Sequence, residues 1–463
     1  MVKLSCVLFV PISIYRYWCN GTSLTSNPQT TIKTFYTTLF LISNLRIVIP
    51  KQFMKNSKIY PWVVVGLLGG VALLNYMDRQ MLSTMKDAMQ MDIQELQSAT
   101  NFGRLMAVFL WIYGFMSPVS GIIADRLSRK WLIVGSLLVW SSVTYLMGLA
   151  TTFDQVFWLR SLMGISEALY LPAGLALIAD YHTGGSRSLA VGIHMTGLYI
   201  GQAIGGFGAT LAAAYSWHTT FHWFGIIGIV YAVILAVFLH DKKSDVSEAV
   251  RAVKPKQAMG VLPSLKSLFT NIAFWVILLY FAVPSLPGWA IKNWLPTLFA
   301  ENLGIPMAQA GPMATITIAI SSFVGVLVGG TLSDRWVKRN LRGRVYTGAI
   351  GLGLTIPALL LLGFGHNVLG IILAGLLFGV GFGMFDANNM PILCQFVGSR
   401  QRATAYGVMN MVGVFAGAAV THLLGKWTDG GNLGMGFAVL GGIVIVALAL
   451  QLACLRPTSD NVE

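Results

Sequence analysis

The sequence predicts an all-α membrane protein with twelve transmembrane helices arranged as two pseudo-symmetric six-helix bundles. Three observations lead there. The 463-residue chain is 55% hydrophobic and only 10% charged, where a soluble domain carries about 25% charged residues. Apolar stretches long enough to cross a bilayer recur twelve times along it. A ten-residue pattern at the end of one such stretch, from Gly121 through Asp125, Arg126 and Arg129 to Lys130, returns 209 positions later, from Gly330 through Asp334, Arg335 and Lys338 to Arg339. A repeat on that scale is what parallel six-helix halves related by an axis along the membrane normal would leave in a sequence.

The elements follow in order, each expected to be helical because lipid offers the backbone no other hydrogen-bond partner. Span 1, 60–84, follows the short basic segment from Met54 to Lys58. Span 2, 99–124, ends in the first charged repeat, and span 3, 131–150, begins where that charge stops. Span 4, 155–180, is apolar apart from Arg160, Glu167 and a terminal Asp180. Span 5, 188–213, opens at Arg187 and carries Gly197, Gly201, Gly205 and Gly206, a spacing that suits close helix contact. Span 6 covers 222–240. A polar interval, 241–269, is read as a cytoplasmic linker between a bundle at 60–240 and a second at 270–455. Span 7, 270–298, contains Pro284, Pro287 and Pro296, which predict a broken helix that bends during gating. Span 8, 311–333, ends in the second charged repeat. Spans 9 to 12 follow at 343–365, 367–395, 402–425 and 432–455, with a short cytoplasmic tail at 456–463.

The net charge of +14 sits in alternate loops. Arg126, Arg129 and Lys130, then Arg187, the group from Lys242 to Lys256, Arg335 to Arg344, and Arg400 with Arg402 all fall on one side. The other side holds few, such as Lys86, Lys292 and Lys426. This asymmetry places the basic side, and both ends of the two bundles, in the cytoplasm of a cell that carries the protein in its inner or plasma membrane. It also argues against a nucleic-acid partner, because the charges set topology instead of forming one basic face.

Residues 1–59 form an N-terminal extension that does not fit this pattern. Met54 has the look of a natural start, with the basic residues after it leading into span 1. Two alternatives stay open: a signal peptide ending near Asn20, or a thirteenth span at 34–49 that would contain Asn44 and Arg46. Of the four cysteines, Cys6, Cys19, Cys394 and Cys454, none has metal or redox spacing. No cofactor motif is present.

The repeat extends beyond the loops. Gly164, Glu167, Ala168 and Pro172 match Gly383, Asp386, Ala387 and Pro391, and Arg187 with Gly192 matches Arg402 with Gly407.

The loop pattern around Asp125 and Arg126 resembles the signature between helices 2 and 3 of the major facilitator superfamily, with Ser128 where that signature often has Gly. Within it, the run from Asn75 through Tyr76 and Asp78 to Arg79, the pair Arg160 and Glu167-Ala168, and Gly407 to Asn410 resemble the anion:cation symporter family. That resemblance implies the major facilitator fold and proton-driven symport of a small organic anion, such as a hexuronate or aldonate. It implies Asp78 and Glu167 as proton carriers, and Tyr76, Tyr113, Gln202 and Asn410 as cavity residues. The same helix 1 and helix 4 elements also resemble spinster-type carriers of lysolipid or sphingoid lipid, the competing expectation. Gln202 stands where drug/proton antiporters have proline after the central glycine of span 5, which lowers the expectation of an antiporter.

The residues themselves support a cavity. Charges at membrane depth cost about 3 kcal/mol or more unless paired or hydrated, so Asp78, Arg79, Arg160, Glu167 and Asp386 are expected to face an interior. Spans 1 and 4 run in opposite directions, and a rise of about 1.5 Å per residue puts Arg160 at the depth of Asp78. Their pairing in one conformation is expected, with pairing favouring the ionised carboxyl and desolvation the neutral one. A static ion network is the bland alternative. Arg79, about 100° around the helix, is expected to meet an anionic substrate group, and Arg160 is a second such candidate. The amides of Asn388 and Asn389 are placed to bond hydroxyls or carboxylate. Asp386 is open between binding a cation, taking a proton and pairing with a base. His194 is open between a proton role and a packed core histidine. Gly121, Asp125, Arg126 and Arg129, with Gly330, Asp334 and Arg335, are read as gates that hold the cytoplasmic side closed, against the simpler reading of charge that sets topology. The chain has no nucleophile–base pair, phosphate loop or appended signalling domain, which argues against an enzyme or a receptor. The partners expected are an organic anion, protons and the lipid bilayer, with a monomer as the default.

Overall fold

The structure, a computed structural model, describes residues 59–182, 186–242, 261–398 and 401–459. The side chains at 122, 125, 126, 188, 261–264 and 403 are not part of that description. The expectations about the N-terminal extension, the basic residues at 243–256, Arg400, and the side chains of Asp125 and Arg126 therefore fall outside the described residues.

Among those residues, eleven helices are long and apolar enough to cross a membrane. They are α1 (Tyr60–Thr84), α2 (Ala99–Arg126), α3 (Arg129–Met147), α4 (Phe153–Tyr181), α6 (Trp217–Phe238), α7 (Ile272–Leu303), α8 (Met307–Val337), α9 (Gly343–Phe364), α10 (Val368–Cys394), α11 (Arg402–Asp429) and α12 (Leu433–Cys454). Between α4 and α6 lies α5, built from Arg187–Gly205 and a short continuation, Gly208–Ala214. There is no strand among the described residues.

Local chemistry sets the ends. Ser98, Ser128, Thr152 and Ser216 each accept a backbone N–H from three residues ahead, which starts α2, α3, α4 and α6. The Ser216 cap begins α6 earlier than its apolar run, so Trp217 and Thr220 are helical and buried. Gly304 (φ 61°) closes α7 in the left-handed conformation that glycine adopts freely. This end lies five residues beyond the expected one, which changes the depth of everything on α7. The prolines do not break α7: it is helical from Ile272 to Leu303. Within the interval read as a linker, Val261–Thr270 is a helix that buries Leu268.

The breaks fall elsewhere, at matching places. α4 is interrupted after Ala168 and α10 after Asp386. Pro172 and Pro391 explain both: each lacks an N–H and crowds the carbonyl four residues before, that of Ala168 or Ala387. Glu167 and Asp386 thus end the first piece of their helices.

α5 packs on α1 through a ladder of glycines. A Cβ at Gly197, Gly201 or Gly205 would strike the backbone carbonyls of Gly69, Leu73 and Met77 in turn. Neighbouring Gly206 faces the other way, onto Gly311 and Thr315 of α8.

The two bundles close on each other at the ends away from the basic loops. There α5 meets α8 at Gly206, and Thr210 Oγ1 donates to the Ala308 carbonyl (2.7 Å). α2 meets α11 where Gly425 lies on the Ala99 carbonyl and Gly103 on that of Thr421. Asp429, at the end of α11, accepts hydrogen bonds from Ala99 N (2.6 Å), Thr100 N (2.9 Å), Thr100 Oγ1 (2.6 Å) and Ser98 Oγ (2.8 Å). A carboxylate is thereby seated on the positive end of the α2 dipole. At the basic end the glycines of the repeats, Gly121 and Gly330, have nothing within 4 Å of a built Cβ.

Hydrogen bonds to a charged group contribute about 1.5–3 kcal/mol each, so Asp429→Ala is expected to shift the balance of bundle orientations by roughly tenfold or more. The check is the distance distribution between spin labels at Met91 and Asn432, both exposed, in a chain freed of its native cysteines. The variant should populate longer distances that the parent lacks.

Candidate ion-coupling and substrate site

Two sets of polar groups meet near mid-membrane. The first is inside the first bundle. Asn75 and Arg79 stand four residues apart on α1 and so share a face. Both donate to Glu167 Oε2, from Asn75 Nδ2 at 2.9 Å and Arg79 Nε at 2.6 Å. The Glu167 side chain is fully buried. The Arg79 guanidinium lies against three rings: Tyr113 at 4.7 Å, Phe109 at 4.8 Å and Tyr76 at 5.2 Å. Arg160 lies 4.3 Å from the Phe109 centroid, so one ring touches both cations. Arg160 donates to the Met163 sulfur, and its Nε has no partner.

The expected Arg160–Asp78 ion pair is therefore not formed in this conformation; the pair that exists joins Arg79 to Glu167. Arg79 turns toward α4 instead of waiting alone for an anion. Asp78 is buried, and its hydrogen bond comes from Thr144 Oγ1 at 3.3 Å. That hydroxyl has one proton and also points at the Trp140 carbonyl, 3.0 Å away.

The second set lines a cavity of about 520 Å³ between the bundles. From the first bundle come Tyr76, Tyr199 and Gln202. From the second come Ser285, Trp289, Lys292, Asp386, Asn389 and Asn410, over a wall of Phe281, Phe378, Phe382 and Phe385. The cavity runs toward the basic end at Val191 and Tyr406. Tyr76 divides the two sets: Arg79 lies on its ring, and the Lys292 amine is 5.9 Å from the same centroid.

The sequence places Lys292 among the few basic residues of the outer side. The longer helix places Lys292 on the cavity wall, 4.8 Å from the Trp289 ring, while Asn293 donates to Thr421 inside the second bundle. Pro296 has no N–H for the Lys292 carbonyl. Gln80 of α1 supplies the missing donor at 3.0 Å, so a proline in one bundle creates an acceptor for the other.

Of the expected cavity residues, Tyr76, Gln202 and Asn410 line it. Tyr113, Arg79 and Arg160 sit behind Tyr76. Asn388 does not line it: its side chain is fully buried, with Nδ2 donating to the Met384 carbonyl. Asn389, three residues after Asp386 and on its face, donates to Asp386 Oδ1 at 3.0 Å instead. His194 is fully buried beside Tyr170, off the α5 face that carries Val191, Met195, Leu198, Tyr199 and Gln202.

The gate clusters make contacts within their own bundles. Arg129 pairs with Asp180 of α4 and donates to the Ala176 carbonyl. Asp334 pairs with Arg344 at 3.3 Å, and Arg335 is exposed. Sequence reasoning missed Asp180 and Arg344 as partners, along with Asp429, Trp289, Tyr199 and Tyr406. The polar ends of α4 and α11 were the available signal for Asp180 and Asp429.

Two bundles around a mid-membrane cavity, with buried acids and bases beside it, define a membrane transporter. Residues 68–421 match the family model described as Major Facilitator Superfamily, and the chain belongs to that superfamily. It is 25% identical to the hexuronate transporter of Bacillus subtilis over 86% of this chain and 94% of that one. It is 26% identical to the probable galactarate/D-glucarate transporter GarP of Escherichia coli K12, over 77% and 85% of the two chains. Among solved structures, a bacterial homologue of the human lysosomal transporter spinster, in an inward-facing and occupied conformation, superposes with a TM-score of 0.74 at 19% identity. That match covers 88% of this chain and all of the other.

The neighbouring amides separate cleanly by experiment. Asn388→Ala should lower thermal stability by about 1–3 kcal/mol, since it takes the side-chain donor from the buried Met384 carbonyl, with little effect on substrate affinity. Asn389→Ala should do the reverse, and melting curves beside uptake KM values check both. Gly121→Leu should leave the melting temperature unchanged, there being open space at that position, while abolishing turnover through a state in which the basic end closes.

Proposed function

We propose that this transporter carries a small organic anion, a sugar acid such as a hexuronate or aldonate, together with protons. It does so by alternating access in the cell membrane, with its basic end in the cytoplasm. The observation that carries this reading is the arrangement behind Tyr76: an ion pair, Arg79–Glu167, whose acid is fully buried, beside a buried acid, Asp78, and a buried base, Arg160, that are not paired. Two acids and two bases at membrane depth form a set with exchangeable partners, neutral when both acids are ionised. A buried charge persists when paired and hydrogen-bonded. In this state Asp78 has one shared hydrogen bond, which suits a carboxyl that carries its proton. Loss of that proton makes Asp78 a partner for Arg160. A proton on Glu167 frees Arg79, whose planar guanidinium matches a carboxylate. Relatives that transport hexuronate and, by their names, galactarate or glucarate support the substrate class.

Uptake by proteoliposomes under an imposed pH gradient tests it. A panel of hexuronates, aldonates, neutral sugars and lysolipids is offered. The expected result is accumulation of one acid when the exterior is acidic. Asp78→Asn and Glu167→Gln should abolish that accumulation, and Asp78→Asn should keep exchange of labelled for unlabelled substrate, a step that needs no net proton movement. Gradient-driven accumulation that survives Asp78→Asn contradicts proton coupling at that residue. Transport of a lysolipid and of no acid contradicts the substrate class and favours the spinster-like carrier.

A further inference from the structure

The cavity itself contains one cation and one anion among its described lining residues, Lys292 of α7 and Asp386 of α10. No direct ion pair joins them, although the Lys292 charge is within electrostatic reach of the Asp386 carboxyl. Lys292 rests on the Trp289 and Tyr76 rings. Asp386 is held on one oxygen by Asn389. The other titratable groups within reach of Asp386 are the phenols of Tyr199, Tyr280 and Tyr406; the acids of the first bundle are not among them. Asp386 is also the last residue of its helical piece, at the negative end of that dipole.

Charge balance gives this arrangement a consequence. With Asp78 carrying its proton, the first bundle's set has one surplus positive charge, but its groups do not line the cavity; Lys292 with Asp386, the charges that do, sums to zero. A carboxylate that enters brings one negative charge into a site where uncompensated charge costs about 3 kcal/mol or more. Lys292 presents three N–H donors on the cavity wall, but Asp386 already neutralises it. We propose that Lys292 and Asp386 form a carboxylate-binding subsite on the second bundle, in which Lys292 holds the substrate carboxylate and Asp386 takes up one proton as that carboxylate arrives. The step balances: Asp386 gains one proton and loses its charge, and Lys292 keeps its protons and gains the substrate carboxylate as its direct anionic partner. The inference rests on the anion reading above, and adds a proton site in the second bundle to the one proposed for the first.

Two measurements on the full chain in lipid nanodiscs test it. The first needs no substrate. Infrared difference spectra between acidic and alkaline buffer should show the carbonyl band of a protonated buried carboxyl that Asp386→Asn removes, Asp386→Glu shifts in frequency, and Lys292→Gln moves to a more alkaline midpoint. A spectrum that neither Asp386 variant alters overturns the proposal. The second is calorimetry of D-glucuronate binding in two buffers of different ionisation enthalpy. Wild type should take up one proton more per ligand than Asp386→Asn, and Lys292→Gln should weaken binding roughly tenfold or more. Equal proton uptake in wild type and Asp386→Asn also overturns it. If wild type binds no sugar acid, the substrate class proposed above fails, while the infrared result still decides whether Asp386 titrates beside Lys292.

Discussion

The ion pair between Arg79 and Glu167 is the contact on which the rest of the site depends. Lipid and packed protein offer little to solvate a charge, so each cation and carboxylate at this depth needs a partner. Glu167 is fully buried and has Arg79 and Asn75 as donors. With that pair made, Arg160 is left to the Phe109 ring and Asp78 to a shared hydroxyl. Four charged groups on two helices can pair in more than one way, and the structure shows one of them. A transporter needs such alternatives close in free energy, because each differs in which group holds the proton.

The two bundles use the same local device for different ends. In each, a proline four residues after an alanine interrupts the helix just beyond an acid, at Glu167 and at Asp386. In the first bundle the acid is turned inward, against Asn75 and Arg79. In the second it lies on the cavity wall with Asn389, across from Lys292. The wall around it is aromatic, and that places most of the second bundle's polarity in a few side chains. Closure at the other end is also divided. Glycine contacts between α5 and α8 are steric, whereas the Asp429 cap on α2 and the Gln80 contact to Lys292 are polar and reversible.

Much of the fold was legible in the sequence because a membrane leaves a strong imprint: long apolar stretches, basic alternate loops and a repeat of both. Glu167, Asp78 and Arg160 were legible as buried groups because their charge is conspicuous in apolar surroundings. Their partners were not. Depth along an antiparallel pair of helices puts Arg160 level with Asp78, but depth says nothing of which way each side chain turns, and Arg79 reaches Glu167 first. Lys292 was misplaced because the apolar run of α7 fades before the helix does; the stop is Gly304, and the prolines on the way leave the helix intact. Asn388 and Asn389 are neighbours in sequence and about 100° apart on a helix, so the choice between them rests on a register that only the break after Asp386 sets. Asp429 gave no apolar contrast, since it sits at a helix end where a charge is ordinary.

Proton uptake at Asp386 compensates the charge of the entering anion, and the proton on Asp78 travels in addition to it. The most direct measurement is the charge moved per substrate in proteoliposomes on a solid-supported membrane, from the reversal potential of the D-glucuronate current at several pH gradients. Two protons with one monoanion predict net positive charge moving with the substrate, and a reversal potential that shifts with the pH gradient. Net negative charge moving with the substrate, insensitive to pH, would contradict the account, because the anion would then cross without compensation.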